Sequence, residues 1–299
     1  MNRIAQIIPY FGKLPEWIDL YFYSCSRNPM VDFIFYTDCD CYPPQGCNNL
    51  IIRRLSYNEY KELVSKRLGI EFNPQNAYKL TDLKPFLGLV HKEELSGYDW
   101  WGFGDIDLVY GDMSLLLNKE NLSKYNLLTT HNYHIAGHCT FMRNNDYYRN
   151  LCLKIKDWET RLPASKHYGF DEGEWSRLLY PMIKWPLTIY DKILKRIYPK
   201  CFNMFMDHAN SVINRSELFK EYETSLAPKA GEVWRYDVNE GRVYSPTGKQ
   251  LPYLHFLFFK KTQYLETENY WRPGYYKLNK NIADYRRILI DYSTIKGEL

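Results

Sequence analysis

No run of apolar residues in this chain approaches the roughly 18 that a membrane-spanning helix needs, so a transmembrane bundle is excluded. Paired cysteines of the C-x-x-C type are also missing. The seven cysteines, an odd number scattered as Cys25, Cys39, Cys41, Cys47, Cys139, Cys152 and Cys201, predict neither a disulfide framework nor a structural zinc site, and a reducing cytosol suits them best. Excess charge is small: 39 Lys and Arg against 35 Asp and Glu leave a net +4, which argues against nucleic acid as a partner and restricts any anionic ligand to a local site. Internal repeats and low-complexity tracts are absent. The apolar opening Ile4–Ile8 reaches Pro9 too soon for a signal peptide and reads as a first strand.

What the chain has in quantity is aromatic residues, 17% of the total with 28 tyrosines and 8 tryptophans, which suits stacking on sugar rings. Its 299 residues can bury one large α/β domain with elaborations. Strand-like runs at Ile4–Ile8, Val31–Tyr36 and Asn49–Arg53 alternate with a helical pattern from Trp17 to Ser26, as a mostly parallel sheet requires. Ser56 and Glu59 form a capping-box signature for a helix to Leu68. A further helix is expected from Ala77 to about Glu94, kinked or restarted at Pro85, and another from Asp146 to Trp158. Strands are predicted at 126–130 and 135–143, then several short ones between Val233 and Phe259 with turns at Asn239-Glu240-Gly241 and Pro246-Thr247-Gly248. Residues 180–202 are basic, aromatic and amphipathic, and either lie on an anionic membrane surface or pack on the core.

The most informative motif is Gly104-Asp105-Ile106-Asp107, where an apolar strand ends in two carboxylates one residue apart. At a strand's C-terminal edge such a pair presents oxygen ligands to Mn²⁺ or Mg²⁺ and, through the ion, to a diphosphate. His255, in a strand that runs on to Lys260 and Lys261, is the candidate third ligand, and Lys260 a candidate phosphate contact. Lys79 and Asp82, three apart on a helix, form either an exposed ion pair or a contact in which Lys79 meets the diphosphate and Asp82 the hydroxyls of a sugar. Tyr10 and Asp38 follow strands 1 and 2 and are expected to stack on a base and bond a base or ribose. Gly137 allows close approach of a substrate, with His138 beside it for a hydroxyl. Asp171 and Glu172 offer a general base, a positioning carboxylate or simply a helix cap.

In this order the motifs resemble GT-A glycosyltransferases, nearest to the glycogenin and lipopolysaccharide-galactosyltransferase group. The segments Ile-Pro-Tyr-Phe-Gly (8–12), Tyr-Lys-Leu-Thr-Asp-Leu-Lys-Pro (78–85), Gly-Asp-Ile-Asp-Leu-Val-Tyr-Gly-Asp (104–112) and Tyr-Leu-His-Phe (253–256) resemble a bacterial family known as domain of unknown function 6625, over roughly residues 4–261. The resemblance implies an α/β, GT-A (Rossmann-like) fold with a mostly parallel central sheet flanked by helices. It places the transferase domain at 1–262, followed by a helical and aromatic C-terminal elaboration at 263–299 that packs on the domain or a membrane.

It also implies a metal-dependent transfer of a hexose from a UDP-sugar donor to a capsule or lipopolysaccharide glycan acceptor, lipid-linked or free, at the cytoplasmic face of the membrane. Asp105, Asp107 and His255 would hold the metal; Tyr10, Asp38, Lys79, Asp82, Asp105, Gly137 and Lys260 the donor; and Asp171, Glu172 and His138 would serve catalysis. The chain departs from the glycogenin group at Lys79, where that group has arginine, at Ile135-Ala136-Gly137-His138, and at Phe258-Phe259-Lys260-Lys261, which lacks a proline. Retention of configuration follows from the similarity, whereas a free Asp171 or Glu172 base would permit inversion. The competing readings are a haloacid-dehalogenase-like phosphatase, whose D-x-D strand normally opens the fold, and a non-catalytic glycan-binding protein.

Overall fold

The computed structural model describes residues 2–131, 134–179, 213–215, 231–255, 276–291 and 293–299. Strands β1 (Ile4–Pro9), β2 (Val31–Thr37), β3 (Leu50–Arg54) and β4 (Trp100–Gly104) run parallel in the order β3-β2-β1-β4. Between β4 and β6 the chain forms β5 (Leu108–Tyr110), which leaves this sheet. Beyond β4 come β7 (Cys139–Arg143), the one antiparallel member, then β6 (Leu127–Thr129) and β8 (Ile213–Arg215). The expected mixed α/β architecture with a mostly parallel central sheet is therefore present.

Helices cover both faces, so the inner strands are apolar on both sides rather than alternating with polar residues. In β1, Ala5 and Ile7 enter one core together with Trp101, Phe103 and Leu87, while Ile4 and Ile8 enter the other with Phe33, Phe35 and Trp100. Gln6 is the polar exception, fully buried on the second face. Its amide nitrogen donates to Phe103 O (3.0 Å) and its oxygen accepts from the Tyr110 hydroxyl (2.7 Å), so neither end is left unsatisfied. Helix α1 (Ile18–Ser26) follows β1. Helix α2 (Tyr57–Leu68) follows β3, with the full Ser56–Glu59 capping box and a left-handed Gly69 (φ 69°) at its end.

Two expectations need correction. The segment from 77 onward is not one kinked helix: it is a 3-10 turn at Ala77–Lys79, a short helix α3 (Leu80–Leu83), a 3-10 turn at Lys84–Phe86 and a short helix α4 (Leu87–Val90). Pro85 supplies no N–H for the helical ladder and tightens the chain at that point, which turns Lys84 inward. Nor is the described C-terminal part mainly helical, its helical stretch being a 3-10 turn at Ile282–Asp284. Strands β13 (Arg287–Asp291) and β14 (Ile295–Glu298) complete a five-stranded antiparallel sheet, β11-β10-β9-β13-β14, with β9 (Val233–Asp237), β10 (Arg242–Tyr244) and β11 (Gln250–Leu251). Ile288, Ile290 and Ile295 fill its core with Trp234, Tyr236 and, from α1, Trp17 and Leu20.

Strand β12 (Tyr253–His255) pairs antiparallel with β5. This ribbon faces both ways: Leu108, Tyr110 and Tyr253 enter the core of the parallel sheet, and Val109 and Leu254 enter that of the antiparallel sheet. Late sequence is thereby pinned beside the D-x-D motif. Among the described residues no helix is long and apolar enough to cross a membrane, and the basic stretch 180–202 lies outside them.

Candidate metal centre

Asp105-Ile106-Asp107 is a short crossing between β4 and β5, fixed at two peptide groups. Asp105 N–H donates to His138 O (3.0 Å), and the Trp17 indole donates to Ile106 O (3.0 Å). The β5–β12 register sets His255 opposite Leu108 and brings its Nε2 to 3.7 Å from Asp107 Oδ2. One ligand atom from each of Asp105, Asp107 and His255 lies within 4.8 Å of the others. Ligands about 2.1 Å from a small divalent ion are spaced by about 3–4 Å, so small side-chain rotations would close the set. Two carboxylates and an imidazole are a donor set suited to Mn²⁺ or Mg²⁺. Asp107 is fully buried and His255 nearly so, whereas the Asp105 side chain is 24% exposed and borders solvent.

Lys84 joins this cluster to the acidic turn. Its ammonium donates to Asp105 Oδ1 (2.7 Å), Asp171 Oδ2 (3.3 Å) and Gly137 O (2.8 Å). Burial works against its charge, but Asp105 and Asp171 more than offset that, and its pKa is raised. Asp171 is raised too, above all by burial, with Glu172 and Asp105 adding to the effect and Lys84 opposing it. The residues 170–174 form a single wide turn before the helix at Trp175–Leu179, and Asp171 Oδ1 accepts the Glu172 N–H within it (3.0 Å). Asp171 points inward to Lys84, whereas Glu172 is exposed and accepts the Gly137 N–H (3.3 Å). A Cβ on Gly137 would come within 2.6 Å of Asp171 Oδ2 and 3.0 Å of Glu172 Oε1. The close approach that Gly137 permits is thus that of the acidic turn itself.

Lys79 and Asp82 are placed differently from either expectation. Both are buried, and Lys79 donates to Asp82 (2.9 Å), to Arg161 O (3.0 Å) and to Lys166 O. Asp82 also accepts the backbone N–H groups of Tyr168 (2.9 Å) and Phe170 (3.0 Å). The pair is neither exposed nor directed at the cluster; it anchors the chain that enters the acidic turn. Every donor position of the Lys79 ammonium has an internal acceptor.

His138 also departs from its expected place. It is 2% exposed, its Nε2 is bonded to the Tyr253 hydroxyl (2.9 Å), and its ring stacks on His255 with centroids 3.9 Å apart. Its pKa is pushed far down by burial first and then by His255, His131 and Lys84, and it lies against the Asp-Asp-His cluster with its Nε2 already engaged by Tyr253. His131 and His134, bonded to each other (2.7 Å), continue the group, and His131 is lowered to about 3 by burial and by His134 and His255.

Tyr10 and Asp38 do follow β1 and β2 at the sheet edge that carries Asp105. The Tyr10 ring stacks on Phe35, and its phenol rises to about 12 through burial, then Cys39, Asp107 and Asp38. Asp38 is exposed and accepts the Gly12 N–H (3.1 Å). Lys260 lies outside the described residues. Sequence reasoning missed Lys84, His131 and His134. Lys84 stood in the same motif as Lys79, one residue before the proline that turns it inward, and the histidines recur at 131, 134 and 138.

No curated protein gives a significant match to the chain. Its sequence does match a family of unknown function, DUF6625, over residues 6–284. With the match covering most of its length, the chain belongs to the DUF6625 family.

Proposed function

We propose that the protein is a metal-dependent GT-A glycosyltransferase that moves a hexose from a UDP-sugar to a capsule or lipopolysaccharide glycan, carried on a lipid at the cytoplasmic membrane face. The observation that carries this reading is the convergence of Asp105, Asp107 and His255 at the C-terminal edge of a parallel sheet, where ligands of open α/β sheets bind. Asp107, His255 and the Asp105 oxygen not engaged by Lys84 would hold Mn²⁺ or Mg²⁺. When bound, the ion supplies positive charge against the diphosphate leaving group.

The protein's own groups divide the remaining tasks. Tyr10 offers a ring at the sheet edge for the base, and Asp38 an exposed carboxylate for base or ribose. Lys84 keeps Asp105 and Asp171 together without mutual repulsion. Asp171, tied to that lysine, is poorly placed to take a proton from an incoming hydroxyl. Glu172 is the exposed member of the acidic turn and suits hydrogen bonding to a sugar hydroxyl. The pairing of Asp171 with Lys84, which withholds it as a base, accords better with retention than with inversion.

Incubating the protein with a panel of UDP-sugars, with Mn²⁺ or with EDTA, tests the proposal, because slow hydrolysis needs no acceptor. Metal-dependent release of UDP from one or two sugars is expected. Release from none, in folded protein, would favour a non-catalytic glycan-binding role, and turnover of a generic phosphomonoester would favour a phosphatase.

A further inference from the structure

His138 touches both halves of the Asp-Asp-His cluster. Its carbonyl accepts the Asp105 N–H (3.0 Å), which fixes the entry to the carboxylate pair. Its ring lies on His255 at 3.9 Å with an interplanar angle of 21°, which fixes the imidazole. The ring in turn is oriented by the Tyr253 hydroxyl at 2.9 Å, and that hydroxyl is also bonded to Thr130. Tyr253 and His255 are two residues apart on β12, so both side chains leave the same face of the strand and bracket the His138 ring, one at its edge and one at its face. A ligand imidazole has two free torsions and must be held within about 0.5 Å to serve a metal well.

We infer, resting on the metal-centre reading above, that His138 is a positioning residue that presets the His255 ring for the metal and couples it to the D-x-D crossing. A metal draws electron density from the imidazole that binds it. A neutral ring stacked on that imidazole presents its electron-rich face to the developing positive charge, so the stack strengthens when the ion binds. The contribution comes from the ring, whereas the bond to Tyr253 only sets its angle.

Three substitutions separate these parts. His138→Phe keeps a ring of similar size and loses the bond to Tyr253; His138→Gln keeps a polar group without a ring; His138→Leu fills the space with neither. All leave the backbone bond to Asp105 in place. Free Mn²⁺ measured by electron paramagnetic resonance in a titration gives the affinity of each variant, and metal-free melting curves show that it is folded. Phe is expected to stay within about twofold of the unsubstituted protein, while Gln and Leu, either of which suffices, weaken Mn²⁺ binding by about tenfold or more. Equal Mn²⁺ affinity in all variants, or equal weakening in Phe and Leu, would overturn the inference while leaving the metal centre intact. Absence of Mn²⁺ binding in the unsubstituted protein would instead overturn the metal reading on which it stands.

Discussion

Lys79 and Lys84 lie five residues apart in one segment, and both are buried lysines paired with carboxylates, yet their surroundings differ in kind. Lys79 spends its ammonium on Asp82 and two carbonyl oxygens, and Asp82 spends its own oxygens on Lys79, two backbone N–H groups and the His167 ring at 3.5 Å. That system is closed. Lys84 meets two carboxylates, and one of them, Asp105, borders solvent and belongs to the Asp-Asp-His cluster. That system is open to a ligand. The difference teaches that a buried charge is informative about function through what its partners have left to offer, and not through burial itself.

The largest effect is expected where the open system meets the metal. Asp107→Asn keeps shape and removes the buried charge, and Mn²⁺ affinity should fall by more than about 100-fold, beyond the ~10–100-fold that supporting residues contribute. A titration with unchanged affinity would remove the cluster from the account of Lys84. Next come the lysines. Lys79→Met and Lys84→Met each strand buried carboxylate charge and should each cost about 3–5 kcal/mol in urea denaturation. Only Lys84→Met should also change Mn²⁺ affinity, because only Lys84 shares a carboxylate with the cluster. If Lys79→Met changes it equally in folded protein, the contrast between the two systems fails.

The smallest effect is in the pH dependence. The native pKa of Asp171 is raised above its ordinary 3.8, so the native state holds this proton more tightly than the unfolded chain. The associated stability is complete below 3.8 and is lost as pH rises through the raised native value. Asp171→Asn should abolish that part of the profile, so denaturation midpoints of the two proteins should drift apart as pH climbs above 3.8, with the unsubstituted protein losing relative stability. Parallel profiles would mean that Lys84 fully offsets the burial of Asp171, leaving its pKa the same in the two states.

The alternation of strands and helices in the opening segment was legible because β1 and β2 are apolar on both faces and a helix after them carries a start signal, the capping box of Ser56 and Glu59. The meeting of Asp105 and Asp107 with His255 was legible from residue chemistry alone, although the β5–β12 ribbon that brings them together was not. Four residues misled for one reason: sequence shows which groups exist but not which neighbours they find. Lys79 and Asp82 read as an outward pair because helical spacing says nothing of a loop some 85 residues later that wraps over them. Lys84 was overlooked because Pro85 breaks the periodicity that would have given its direction. His138 sits after a glycine in a connecting segment, a place where ligands often bind, but Tyr253 and His255 arrive from more than a hundred residues away and enclose it. The strands β13 and β14 were missed because Arg-Ile-Leu-Ile-Asp is too short to declare itself without its partner β9.

On the proposed function, Asp105, Asp107 and His255 hold a divalent metal that in turn holds a nucleotide diphosphate. Calorimetric titration of UDP into the protein, with Mn²⁺ and with EDTA, tests it most directly. Saturable UDP binding that requires Mn²⁺ and disappears in Asp107→Asn is the predicted result; UDP binding of equal strength in EDTA, or none under either condition in folded protein, would contradict it.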